Sequence, residues 1–137
     1  MSVVKSKRGE SDLAIINKSR ELATYTARIC SNEKNFPKRY RWCITSKIVS
    51  DAFDIYGNIR KANTIFVKIK PDYDIRRQCQ NKARAAIDSL LGNMDIAYSM
   101  FGINDKRIEY WTGLVIEVQS LLRNWMKSDY ERYKDLK

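Results

Sequence analysis

Histidine is absent from this 137-residue chain. With it go the commonest general base and the commonest metal ligand. Proline occurs twice and glycine five times, which is too few breakers for a fold of many short strands and suits a handful of long helices. The glycines stand far apart, so no glycine-rich phosphate loop can form. Cys30, Cys43 and Cys79 are odd in number and widely separated, and no pair has metal-ligand spacing. They read as reduced thiols in a cytoplasmic protein. No run of about eighteen apolar residues exists to span a membrane. Residues 1–10 are charged with no apolar stretch behind them, which predicts a basic disordered tail and no secretory signal.

What the chain does have is helical periodicity. Ile108, Trp111, Val115, Val118, Leu122 and Trp125 recur at steps of three and four, and Asp129 continues the rhythm. Cys79, Ala83, Ala86, Leu90, Met94 or Asn93, Ala97 and Phe101 form a second stripe of this kind. Ile44, Ile48, Asp51 or Ala52, Ile55, Ile59, Ala62 and Phe66 form a third, and Leu13, Ile16, Ala23, Ile29 and Cys30 mark a fourth helix. Breakers place these helices at about 11–31, 38–66, 74–101 and 105–134. Ser11 or Asp12 can cap the first, Pro37 precedes the second, and Asp72 or Asp74 can cap the third beyond an extended link ending at Pro71. Gly102 fits the C′ position of the third helix, and Asn104 or Asp105 the N-cap of the fourth. Links this short predict antiparallel neighbours, hence one all-α domain, an up-down-up-down four-helix bundle. Gly57 lies inside a helix, where a close helix–helix contact would explain it. Phe53, Tyr56, Ile87, Tyr98 and Leu114 lie off the stripes, which suggests a second buried face of the kind a homo-oligomer supplies.

A filled bundle core leaves function to the surface, and the surface is basic. The net charge is +10. Residues 1–70 contribute +9 of this and residues 71–137 only +1. An excess confined to one half of the chain points to an anionic partner. Its densest stretch holds Lys34, Lys38, Arg39, Arg41 and Lys47 without an acid, interleaved with Phe36, Tyr40 and Trp42. Basic groups neutralise phosphates, and aromatic rings stack on bases. The competing reading makes Tyr40 and Trp42 core residues beside solvated cations. Arg60, Lys61, Lys68, Lys70, Arg76 and Arg77 form a second cluster toward the far end of the same helix, so the two mark a long face for RNA or DNA. Later basic residues such as Lys106, Arg107, Lys127 and Arg132 are offset by Asp105, Glu109, Asp129 and Glu131.

The remaining catalytic candidates are carboxylates. Asp51 and Asp54 stand three apart, and Glu117 could face them across the bundle. Di-iron bundles, however, use Glu-x-x-His motifs, and a chain without histidine has none. Neither catalysis nor any metal or cofactor is therefore expected.

Two stretches resemble a known family. One is Phe36-Pro37-Lys38-Arg39-Tyr40-Arg41 with Ser46-Lys47, Asp54-Ile55 and Asn58-Ile59-Arg60-Lys61-Ala62-Asn63. The other is Leu121-Leu122-x-Asn124-Trp125-x-Lys127-Ser128-Asp129, with Tyr110 before it and Arg132 after. Together they resemble the four-helix accessory variability determinants of diversity-generating retroelements, and the related proteins encoded in intervening sequences of large-subunit ribosomal RNA genes. Gly57 departs from the pattern. The resemblance implies a non-enzymatic, nucleic-acid-binding homopentamer of four-helix protomers that partners a reverse transcriptase in mutagenic cDNA synthesis from a template RNA. The intervening-sequence branch implies instead a structural or interaction bundle, whose basic face would suit an acidic protein partner.

Overall fold

Two prolines and one left-handed glycine divide the chain. The structure, a computed structural model, describes residues 3–137, with side chains from Ala14 onward. Four helices account for most of them: α1 is Val3–Ser31, α2 Ser46–Thr64, α3 Lys70–Phe101 and α4 Asp105–Tyr133. Among the described residues there is no strand. The expected tail over residues 1–10, and the capping side chains of Ser11 and Asp12, fall outside the described side chains. The backbone of α1 runs from Val3.

Besides the start of α1, at Val3 and not at about residue 11, three boundaries differ from the sequence expectation. Before α2 the chain passes through a 3-10 turn, Lys38–Tyr40, and a π turn, Arg41–Thr45. α2 stops at Thr64 and Ile65 is extended, at φ −83° and ψ 114°. α3 begins at Lys70, ahead of the expected Asp74, and takes Pro71 into its first turn. A proline there forfeits only an amide that has no helical partner in any case. The Asp72 carboxylate closes this start by accepting from the amides of Lys68 and Ile69 at 3.1 and 3.2 Å. Gly102 ends α3 in the left-handed region at φ 60°. The Asn104 side chain then caps α4, accepting from the amides of Lys106 and Arg107.

Each helix packs against two neighbours, α1 on α2, α2 on α3, α3 on α4 and α4 back on α1. One core runs through this ring. From α2 it takes Ile48, Ala52, Ile55 and Ile59; from α3, Ala83, Ala86, Leu90 and Met94; from α4, Trp111, Val115, Val118 and Leu122. α1 contributes Ile15, Leu22 and Ile29. Ile87 and Leu114, expected to lie off the stripes, are buried in this same core. A helix in a globular bundle buries a wider band than a strict seam, so these two need no second interface. Gly57 is corrected as well. A Cβ built there meets nothing within 4 Å, so no close helix contact explains the residue. Cys30 is buried, and burial pushes its thiol up to about 12, leaving no reactive thiolate.

Trp111 is the largest wholly buried side chain. Its indole Nε1 donates to the Thr26 hydroxyl at 2.9 Å, so the ring fills the core and its one polar atom is satisfied. Trp111→Ala should lower unfolding stability by about 3–5 kcal/mol. Gly57→Ala should raise it by roughly 0.5–1 kcal/mol, since the site is open helix surface. Urea unfolding followed by circular dichroism reads both. An unchanged midpoint for Trp111→Ala would contradict this core.

Candidate nucleic-acid interface

The strongest basic cluster is built on the junction that enters α2. Pro37, at φ −59° and ψ 140°, turns the chain into the 3-10 segment Lys38–Tyr40, and the π turn Arg41–Thr45 carries it into α2. Phe36 anchors the junction from inside. It is buried, with its ring 5.5 Å from that of Phe101 and 6.1 Å from that of Trp111, both edge-on. Tyr40 is half-buried and packs on Phe101 at 5.3 Å. The intervening polar side chains are turned out: Lys38, Arg39 and Arg41 are all exposed.

Trp42 is 83% exposed, the most exposed large apolar residue among those described. The reading that made both Tyr40 and Trp42 core therefore holds for Tyr40 and fails for Trp42. Its neighbour two residues on, Ile44, is buried, and positions two apart on a helical turn point to nearly opposite sides. A bare indole thus shares one short exposed segment with Lys38, Arg39 and Arg41. Among the described residues the only acid paired with this group is Glu33, 3.2 Å from the Lys38 ammonium. Lys47 is exposed in the first turn of α2, beside a polar hollow of about 510 Å³ lined by Ser46, Ser50, Asp51, Ser89 and Asn93.

The second cluster keeps four of its six members. Arg60, Lys61, Lys68 and Lys70 are exposed. Phe66, expected on the buried stripe, is 77% exposed because the helix has already ended, and the Lys68 ammonium lies 5.4 Å from its ring. Arg76 and Arg77 do not belong to the surface. Arg76 is buried, with Nη2 donating to Asp129 Oδ1 at 3.2 Å and Nη1 to the Ile65 carbonyl at 3.4 Å. Its Nε lies 2.9 Å from Asp129 Oδ2, an ion-pair contact without the alignment of a hydrogen bond. The guanidinium also stacks over Trp125 at 4.9 Å. Arg77 is half-buried and donates to the Met126 carbonyl at 2.6 Å and the Tyr73 hydroxyl at 2.7 Å. Both arginines are consumed inside the fold, and Asp129, buried between Arg76 and Gln80, offsets no surface cation.

The long basic face is interrupted. Asp51 and Asp54 lie between Lys47 and Lys61 on α2, and Asp51 accepts from Ser89 and Asn93 at 2.9 Å each. Glu117 faces neither aspartate and instead lies 3.5 Å from Lys18. Among the described residues no three His, Cys, Asp or Glu side chains converge as a metal site, and no helix is long and apolar enough to cross a membrane. Compared with known protein families, characterised proteins and solved structures, the chain matches none.

Removing one partner of a buried ion pair strands the other charge, at a cost of about 3–5 kcal/mol. Arg76→Met should therefore destabilise the protein by that order. A second change, Asp129→Leu, in the same chain should restore much of the loss. Thermal or urea unfolding of the single and double variants measures this. Equal stability of Arg76→Met and the parent would place the pair at the solvent-exposed level of about 0–1 kcal/mol.

Proposed function

We propose that this chain is a non-catalytic nucleic-acid-binding protein, an antiparallel up-down-up-down bundle that grips RNA or single-stranded DNA through the junction Lys38–Lys47. The single observation that carries the reading is the exposed Trp42 set among Lys38, Arg39 and Arg41. Exposing an indole forgoes its burial, about 1.5–3 kcal/mol for a large apolar side chain. A stacking partner for a base would recover it, with the flanking cations neutralising the adjacent phosphates. The antiparallel order is supported by contacts whose numbers rise along one helix as they fall along the next. Lys18 meets Glu117 and Thr26 meets Trp111; Asp51 meets Asn93 and Ile65 meets Arg76; Tyr73 meets Tyr133 and Arg77 meets Met126.

The family resemblance extends this reading to a cytoplasmic homopentamer that assists a retroelement reverse transcriptase in copying a template RNA. Exposed Ile96, Tyr98, Met100 and Ile116 are the apolar surface that such assembly would have available. Light scattering that finds only a 16.1 kDa species at micromolar concentration would remove assembly from the proposal.

Lys38, Arg39, Arg41 and Lys47 changed together to Gln should leave a folded protein that binds a single-stranded RNA more weakly whatever its sequence. Each phosphate no longer neutralised should lower the slope of log affinity against log salt by about 0.7. Trp42→Ala should cost about 1–3 kcal/mol of affinity with little change in that slope, because stacking releases no counterions. The comparison set is Lys82, Arg84, Arg123 and Lys127, all exposed on α3 and α4. Lys106 and Arg107 are unsuitable for it, because they start α4 close to Trp111 and hence to the Phe36 end. Filter binding across a salt series reads all three proteins, and equal losses from both sets would mean that net charge alone drives binding.

A further inference from the structure

A groove of about 530 Å³ lies between the outer faces of α1 and α2. Ala23 and Ala27 form its floor on α1 and Phe53 and Tyr56 its wall on α2, with Arg20 and Arg28 also lining it and Ser31 beyond them on α1. The arginines are eight residues apart on one helix, which is roughly 12 Å. The junction cluster includes neither floor nor wall, and the second cluster reaches the wall through Arg60 on Tyr56. Phe53 is 53% exposed although it borders a carbon-lined hollow, so α1 and α2 have not closed over it.

The charge of the groove has one sign. Arg20 and Arg28 line it, and among the described residues no carboxylate does. Glu21, the neighbour of Arg20, is paired with Lys18 at 3.5 Å. The Tyr56 hydroxyl accepts from Arg60 Nη1 at 3.0 Å, which brings a third guanidinium to the wall. Arg60 and Arg20 together hold the Tyr56 hydroxyl below the usual phenol range, chiefly through the Arg60 hydrogen bond.

We propose that this groove docks an amphipathic helix of a protein partner, with apolar side chains seated against Ala23, Ala27 and Phe53 and carboxylates meeting Arg20 and Arg28. Small side chains on the floor let a third helix approach closely, and an apolar groove between two helices is the shape that helix-in-groove recognition uses. Carboxylates two turns apart on the incoming helix match the separation of the two arginines, which fork onto them bidentately. A nucleic-acid strand fits less well, because phosphates and riboses leave a carbon floor unsatisfied while meeting only the two arginines. This site goes beyond the nucleic-acid reading and does not rest on it.

The test uses the full chain and a fluorescein-labelled, helix-stapled eighteen-residue peptide with Leu on one face and Glu two turns apart on its flanks. A peptide with Lys in place of Glu is the control, and a single-stranded RNA is titrated in parallel. The Glu peptide should bind at least about tenfold more tightly than the Lys peptide, a difference of about 1.4 kcal/mol. Phe53→Asp and Arg28→Glu, both at exposed positions, should each weaken the Glu peptide tenfold or more, leave circular dichroism unchanged and leave RNA affinity within about twofold. The protein with Lys38, Arg39, Arg41 and Lys47 changed to Gln should keep the peptide while losing RNA, which separates a failure here from a failure of the nucleic-acid proposal. The docking proposal is overturned if the Glu peptide does not bind, or binds Phe53→Asp as well as the parent. It is likewise overturned if Phe53→Asp abolishes RNA binding, or if it dissolves an oligomer of a parent that ignores the peptide, since the occupant is then nucleic acid or a second copy.

Discussion

The Arg76–Asp129 pair is the constraint around which one end of the bundle is arranged. A guanidinium and a carboxylate are taken out of water together, so each depends on the other and on the groups that complete their shells. Arg76 reaches the Ile65 carbonyl where α2 ends, Asp129 on α4, and the face of Trp125 one turn earlier on that helix. Gln80, one turn beyond Arg76 on α3, supplies a second donor to Asp129 at 2.8 Å. Three helices therefore meet at one charge pair, and sliding any of them along its axis would break it. Apolar packing alone tolerates such slippage better, because it has no preferred direction.

The opposite end is closed by different chemistry. Phe36 meets Phe101 and Trp111 edge to face there, Tyr40 packs on Phe101 at a tilt, and the Trp111 indole is tied to Thr26. An aromatic plug anchors a connecting segment firmly without using its charges. The cations beside its anchors stay exposed: Lys38 pairs with Glu33 at 3.2 Å, the Arg39 guanidinium lies over the Tyr40 ring, and Arg41 faces solvent. At the ionic end the reverse holds: Arg76 and Arg77 are bound up in internal contacts. The same residue type thus serves the surface at one pole and the interior at the other.

Helix number, approximate extent and most core positions were legible in the sequence because burial repeats at the helical period. Leu122, Val115 and Trp111 fall where the stripe puts them. Capping was legible for the same kind of reason, since Gly102 and Asn104 act through local geometry alone. Pairing across the bundle was not. Arg76 and Arg77 read as surface charge because periodicity cannot say that a cation has a buried partner about fifty residues away, although Asp129 on the stripe of α4 was the visible half of that signal. Phe66 misled because a stripe continues on paper after the helix has stopped. The exposure of Trp42 was recoverable: Ile44 and Ile48 define the inward side, and Trp42 lies across the turn from them. The groove between α1 and α2 had only one trace in the sequence, Phe53 and Tyr56 off the buried stripe.

A π turn accommodates one residue more than the α turn it replaces. In Arg41–Thr45 that extra residue reconciles two anchors, Phe36 and Tyr40 held among aromatic rings and Ile44 and Ile48 held in the helical core. Deleting any one of the five would wind the preceding segment round by about 100° and pull Phe36 away from Phe101 and Trp111. Most connections between helices tolerate insertions and deletions freely. This one is held at both ends by packed side chains, so the geometry fixes its length while leaving its exposed side chains free to change.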